Sequence, residues 1–305
     1  MKKFIGLLIA LLFVNQSMLS QDTIISLWPK NEVPNRIASD EKEVHKSGDI
    51  LLLSKVQFLE IEVYLPSKRN NIAKAMLIFP GGGYHVLAYD WEGSDIAKFL
   101  NSKGIVAIVV KYRLPDSKSL ENKKMVPLQD AQRAIRLVRY YANSWNIDQN
   151  HIGVMGFSAG GHLASTLGTH YKEEVYEKID EIDAISARPD FMTLVYPVIT
   201  FTSEVKHSGS MKALLGSDPS VEDIQYFSNE LHVTKETPPT ILFHASDDKG
   251  VPPENSLLFY QALIKHQVVA EMHIFPKGGH GFSLATDNPE LNRWTEMLSQ
   301  WIRTF

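Results

Sequence analysis

The chain alternates between short apolar runs and longer segments of helical spacing. The stretch "FLEIEVYLP" (58–66) switches between apolar and polar positions, the pattern of a strand with one face exposed, and predicts an edge strand. "AKAMLIFP" (73–80) and "GIVAIVVKYRL" (104–114) are nearly continuous apolar runs, the second rich in β-branched residues. Both read as strands buried on two faces. Between them, "EGSDIAKFLNSKG" (92–104) has helical spacing and stops at a glycine, a good C-terminal cap. From Leu128 to Trp145, apolar residues recur at three- and four-residue steps through Ala131, Ile135, Val138 and Ala142. This predicts an amphipathic helix packed on a sheet, with Arg133, Arg136 and Arg139 on a solvated face.

The pattern then repeats. "HIGVMGF" (151–157) reads as a strand and is followed by a helix of small residues, "AGGHLASTLG". Three further apolar runs, "FMTLVYPVI" (191–199), "TILFHA" (240–245) and "VAEMHIF" (269–275), predict strands, with helices at about 253–266 and 288–303. The intervening segment 200–235 is polar, and "MKALLG" is its one expected helical turn, so no bulky lid is expected. Strand–helix alternation without a Gly- or Pro-rich divider implies one α/β domain, a mainly parallel sheet with helices on both faces. Ligands of such sheets bind at the carboxyl ends of the strands.

Bulk properties narrow the partners. The 305 residues, 44 % hydrophobic, suffice for a large core, and the net charge of −4 gives no electrostatic footprint for nucleic acid or anionic lipid. At the start, Lys2 and Lys3 precede "FIGLLIALLFV", then polar residues and Ser20. Residues 1–20 are therefore expected to be a secretory signal peptide, with 21–305 the folded domain, secreted or periplasmic. The apolar run is shorter than the roughly 20 residues that span a bilayer. With no cysteine in the chain, neither a lipid anchor nor disulfides are expected, and the core alone must stabilise an exported protein. No membrane anchor is expected, and the oligomeric state is not legible.

Chemistry enters with "GVMGFSAGGHLAS" (153–165), which places Ser158 in a G-x-S-x-G pattern at a strand–turn–helix junction. Flanking glycines let such a serine occupy a strained turn with Oγ exposed, and the following helix aims its first amides at the site. A serine nucleophile needs a base. Of the eleven histidines, His280 lies in the glycine-rich loop "FPKGGHGF" directly after the last strand. His162, one helical turn past the serine, and His244, inside a strand, read as packing residues. The acid that should hold the imidazole is Asp247 or Asp248 in "HASDDKGVPPENS" (244–256). Asp248 is preferred, leaving Asp247 as a turn or capping residue. The order serine, acid, histidine is that of the α/β-hydrolase fold. In "FPGGGYH" (79–85) three glycines open backbone amides to an oxyanion, so the donors are assigned to Ala159 and to Gly82 or Gly83. Tyr84 and His85, next in the chain, are candidate substrate-binding residues. No metal or cofactor motif is found.

Taken together, "LWP", "PGGGY", "YRL", "GFSAGGHLA", "ELHVT", "TPPTILFHASDD", "VPPENSLLFYQAL" and "GGHGF" resemble the secreted bacterial carbohydrate acetyl esterases. These form the acetyl xylan esterase and feruloyl-esterase-like branch of the α/β-hydrolase superfamily, and the likeness runs over about residues 24–303. The resemblance implies a three-layer αβα sandwich, a Ser158/Asp248/His280 triad, and removal of acetyl groups from plant oligo- or polysaccharides. The chain departs from the hormone-sensitive-lipase pattern, carrying Pro80 before the glycines and Phe157 before the serine. It also lacks the cysteine nucleophile of dienelactone hydrolases. A feruloyl esterase, an aminopeptidase-like serine hydrolase and a silent sugar-binding module are the alternatives. Glycoside hydrolysis, which normally needs paired carboxylates, fits poorly.

Overall fold

The computed structural model describes residues 22–305, so the expected signal peptide lies outside the described residues. Eight strands form the main sheet: β1 (Thr23–Ser26), β2 (Glu60–Tyr64), β3 (Ala75–Phe79), β4 (Val106–Lys111), β5 (Ile152–Phe157), β6 (Met192–Val195), β7 (Thr240–Ala245) and β8 (Ala270–Phe275). Their order is β1-β2-β4-β3-β5-β6-β7-β8, antiparallel at β1–β2 and β2–β4 and parallel thereafter. The central strands β3, β4 and β5 are buried along their whole length, as their unbroken apolar runs require. A small sheet of Val44–Lys46, Leu52–Ser54 and Leu87–Ala88 lies apart from it.

The helices are α1 (Asp95–Ser102), α2 (Val126–Tyr141), α3 (Ala159–His170), α4 (Ser208–Leu215), α5 (Val221–Tyr226), α6 (Glu254–Lys265), α7 (Pro289–Asn292) and α8 (Trp294–Ile302). Successive strand residues point to opposite faces, and β5 shows both being covered. Phe157 packs edge-on against Trp294 of α8, while a Cβ on Gly156 would lie 2.1 Å from the Gly160 carbonyl in α3. This is the α/β-hydrolase fold. Among the described residues no helix is long and apolar enough to cross a membrane.

Three expectations need correction. The alternating strand β2 is not an edge, because β1 pairs along its outer side and takes the edge position. The arginines of α2 are not a solvated face. Arg133, with its side chain 3 % exposed, is paired with Asp180 and Asp183, while Arg136 donates to the Ile185 carbonyl and Arg139 to Asp190. A crossing segment, 171–190, lies over this side of the helix, and periodicity alone cannot foresee it. Segment 200–235 holds α4, α5 and a 3-10 turn at Asn229–His232 instead of a single helical turn. Ser220 caps α5 by accepting from the Asp223 amide.

Candidate active site

Ser158 sits between the end of β5 and the start of α3 with φ 51° and ψ −118°, in the positive-φ region that a β-carbon disfavours. The turn closes only because glycines stand two residues to either side, at 156 and 160: a Cβ on Gly160 would stand 2.0 Å from the Phe79 carbonyl oxygen. Ser158 accordingly stands at the carboxyl edge of the parallel sheet. Its Oγ is 2.8 Å from His280 Nε2, and His280 Nδ1 is 2.7 Å from Asp248 Oδ2. The imidazole loop after β8 and the acid loop after β7 thus converge on the elbow.

Asp248 is held from several directions. Its Oδ1 accepts from the amides of Gly250 and Val251 at 2.8 and 2.9 Å, and its side chain is fully buried. Burial pushes its carboxyl upward in pKa. Hydrogen bonds from His244 and His280, the His280 charge and the Val251 amide outweigh that and hold it well below the usual carboxylate range. His244 Nε2 lies 2.9 Å from the Val251 carbonyl and 3.2 Å from Asp248 Oδ2, while its Nδ1 meets Ser256 Oγ at 2.7 Å. Because a carbonyl can only accept, the His244 proton is on Nε2. His244 is a buried histidine, as read from the sequence, and in addition it steadies the acid. Asp247 takes the other role: its Oδ1 accepts from the amides of Gly278 and Gly279, tying the acid loop to the histidine loop.

The glycine loop borders the nucleophile, since a Cβ on Gly81 would lie 2.9 Å from Ser158 Cβ. Gly82 has φ +131°, and its carbonyl accepts from the amides of His85 and Val86 in a tight turn. Among the described residues the amides of Gly82, Gly83 and Ala159 donate to no other group. They are free to receive an anion. Tyr84 does not line the site, contrary to expectation: it is 1 % exposed and its hydroxyl meets Nδ1 of His162 at 2.8 Å. The turn that exposes the glycines rotates the next side chain into the core. His162 is buried, with Nε2 on the Phe227 carbonyl, and burial brings its pKa down to about 4. His85 is exposed, 3.5 Å from Asp116, and edges a groove of about 580 Å³ beside α4. Among the described residues no three metal-ligating side chains converge.

The BD-FAE family matches residues 61–263, a span that runs from β2 through α6 and holds Ser158 and Asp248. The chain belongs to this family. The BD-FAE chain is 34 % identical to the acetylxylan esterase of Xylanibacter ruminicola over 79 % of its own length and 47 % of that protein's. It is 39 % identical to the endo-1,4-beta-xylanase B of Butyrivibrio fibrisolvens, over 70 % of this chain and 33 % of that protein. The chain therefore spans a third to about half of these curated relatives. Among solved structures, an acetyl ester-xyloside bifunctional hydrolase from Caldicellulosiruptor lactoaceticus matches with a TM-score of 0.80 at 38 % identity. That alignment covers 94 % of this chain and 98 % of the other.

Two residues of the BD-FAE site escape a reading of the sequence. Glu92 and Tyr196 are buried and hydrogen-bonded to each other at 2.8 Å, although 104 positions separate them. Glu92 falls in a stretch that reads as an ordinary helix start, and Tyr196 in one that reads as a buried strand. Only tertiary contact shows what they do.

Proposed function

We propose that the chain is a serine carboxylic ester hydrolase that removes O-acetyl groups from xylan or related plant oligosaccharides through an acyl-enzyme. The observation that carries this reading is the 2.8 Å approach of Ser158 Oγ to His280 Nε2, with Asp248 on the far ring nitrogen. His280 takes the hydroxyl proton as Oγ attacks the acetyl carbonyl. The Ala159 amide, with that of Gly82 or Gly83, receives the oxyanion. The imidazolium then protonates the departing sugar oxygen, the C–O bond breaks, and Ser158 is left acetylated. Water, deprotonated by His280, attacks that ester in turn, releasing acetate and restoring the serine.

The acetyl sugar enters the proposal from the relatives, two of whose names include acetyl ester or acetylxylan hydrolysis. In the same reading residues 1–20 direct export, 21–305 form one hydrolase domain, and the enzyme works in the periplasm or the medium.

Acetate release from acetylated xylo-oligosaccharides, compared with ferulate release from methyl ferulate and with turnover of aminoacyl anilides, tests the substrate. Acetate should be released fastest. Faster turnover of the ferulate ester or the anilide would replace the acetyl assignment, and binding of xylo-oligosaccharides without ester turnover would point to a silent module.

A further inference from the structure

Behind Tyr196, whose ring meets that of His280 at 5.0 Å in an edge contact, lies a second buried acid. Glu92 is 4 % exposed and belongs to a single π-helical turn, Asp90–Ser94, of the kind often found at functional sites. Its proton pattern can be followed bond by bond. The Ser283 amide donates to Tyr196 Oη at 3.0 Å, so the tyrosine proton is directed onto Glu92 Oε1 at 2.8 Å. The Gly81 amide donates to Oε2, also at 2.8 Å. Each oxygen of Glu92 receives a donor, and no partner asks the group for a proton. This is the hydrogen-bond environment of an anion. Burial lifts its carboxyl above the ordinary value, while Tyr196, the Gly81 amide and the charge of His280 pull the other way.

The bonds join two loops that must keep register. Gly81 opens the glycine loop, and Ser283 closes the loop of His280. The adjacent Trp91 adds two more links to the same loop: its Nε1 donates to the Gly281 carbonyl at 2.9 Å, and its own carbonyl accepts from Ser283 Oγ. Tyr196 has φ 37°, a backbone cost for a non-glycine residue held at the end of β6.

We propose that Glu92 and Tyr196 are positioning residues that lock the oxyanion loop to the imidazole loop. The inference rests on the hydrolase reading above. The groups facing the His280 ring are Asp248 from the acid loop, Ser158 from the elbow, Tyr196 with Glu92 behind it, and His207 at the start of α4. The Nδ1 of His207 accepts from the Ser210 amide, and burial and the His280 charge lower its pKa against the opposing pull of Asp248.

The test compares Tyr196→Phe, Glu92→Gln and the double variant in turnover of 4-nitrophenyl acetate and in inactivation by a fluorophosphonate. Tyr196→Phe keeps the ring packing and loses only the hydroxyl link. Its kcat should fall on the order of 10²-fold with KM little changed, since misplacement of reacting groups costs rate rather than binding. The inactivation rate should fall in parallel. The double variant should be no slower than the slower single one, because the two residues act as a unit. Glu92→Gln should likewise lose kcat with KM little changed, a split that a merely structural role would not produce. An unchanged kcat in Tyr196→Phe, or losses that multiply in the double variant, each overturns the proposal. Should Glu92→Gln fail to fold, the kinetics of Tyr196→Phe decide. Inactivation reads the positioning without any acetyl substrate, so a wild type that is labelled but releases no acetate would sink the substrate reading alone.

Discussion

Asp248 accepts from two backbone amides, one buried histidine and the active imidazole, so it cannot rotate away without stranding a donor. In the proposed mechanism its task is to hold the His280 proton on Nδ1, leaving Nε2 to accept from Ser158. Asp248→Asn keeps the shape and reverses that tautomer, so kcat should drop by about 10⁴-fold in an aryl acetate assay. Gly82 is as constrained on the anion side. A Cβ there would stand 2.2 Å from the Val86 carbonyl, at a φ of +131° that side chains avoid. Gly82→Ala should therefore displace the free amides and lower kcat by roughly 10²- to 10³-fold, the usual loss on removing an oxyanion donor. A kcat within a factor of a few of wild type, in either variant, would count against the assigned role. At this scale the convergence of Ser158, Asp248 and His280 was legible because each sits in a short motif with its own turn chemistry. Tyr84 was misread because adjacency to the glycines says nothing about the direction its side chain takes.

At the level of elements, the site depends on α2 and α3 keeping their places against the sheet. Arg133 of α2 is enclosed, pairs with the fully buried side chain of Asp183, and donates to the Leu27 carbonyl beside β1. Removing one partner of such a pair strands the other. Arg133→Ala should cost about 3 to 5 kcal/mol in urea unfolding, whereas a face open to water would lose almost nothing. Helical periodicity identified α2 and its apolar side correctly. It could not identify the segment that covers the other side, because 171–190 has no regular period and is recognised only through contact. The same limit made β2 look like an edge strand: β1 is four residues long, and nothing local marks it as a partner. Helix α5 went unread for a related reason, since six residues, half of them polar, are too few to establish a helical period.

For the molecule as a whole, the buried histidines that take no part in the reaction make stability depend on pH. His162 joins the glycine loop, through Tyr84, to the Phe227 carbonyl, and burial lowers its pKa to about 4. Burial also brings His170 down to about 4, with the charge of His232 adding to the effect. In the unfolded chain such an imidazole titrates near 6.5, so the folded state binds its proton more weakly. The stability contributed by His162 is complete above about pH 6.5 and is lost as pH falls towards 4, by roughly 3 kcal/mol. Urea unfolding at pH 7 and pH 4 should show the drop, and His162→Gln should show a smaller one. An equal pH difference in both proteins would remove His162 from the explanation. Acid should thus loosen the scaffold behind the glycine loop. The mainly parallel sheet and the layer plan were legible in the alternation of runs, because a parallel sheet needs long apolar strands and intervening helices, whereas the order of the strands was not. The network joining Glu92, Tyr196 and Ser283 was not, because its members are far apart in the chain and none carries a local signal.

The central claim is that Ser158 is the nucleophile, made so by His280. Mass spectrometry of the protein treated with a fluorophosphonate tests it most directly. Wild-type chain should carry one adduct, mapped to the peptide containing Ser158, and Ser158→Ala should carry none and lose about 10⁶-fold in kcat. An adduct elsewhere, or near wild-type ester turnover by Ser158→Ala, would contradict the account.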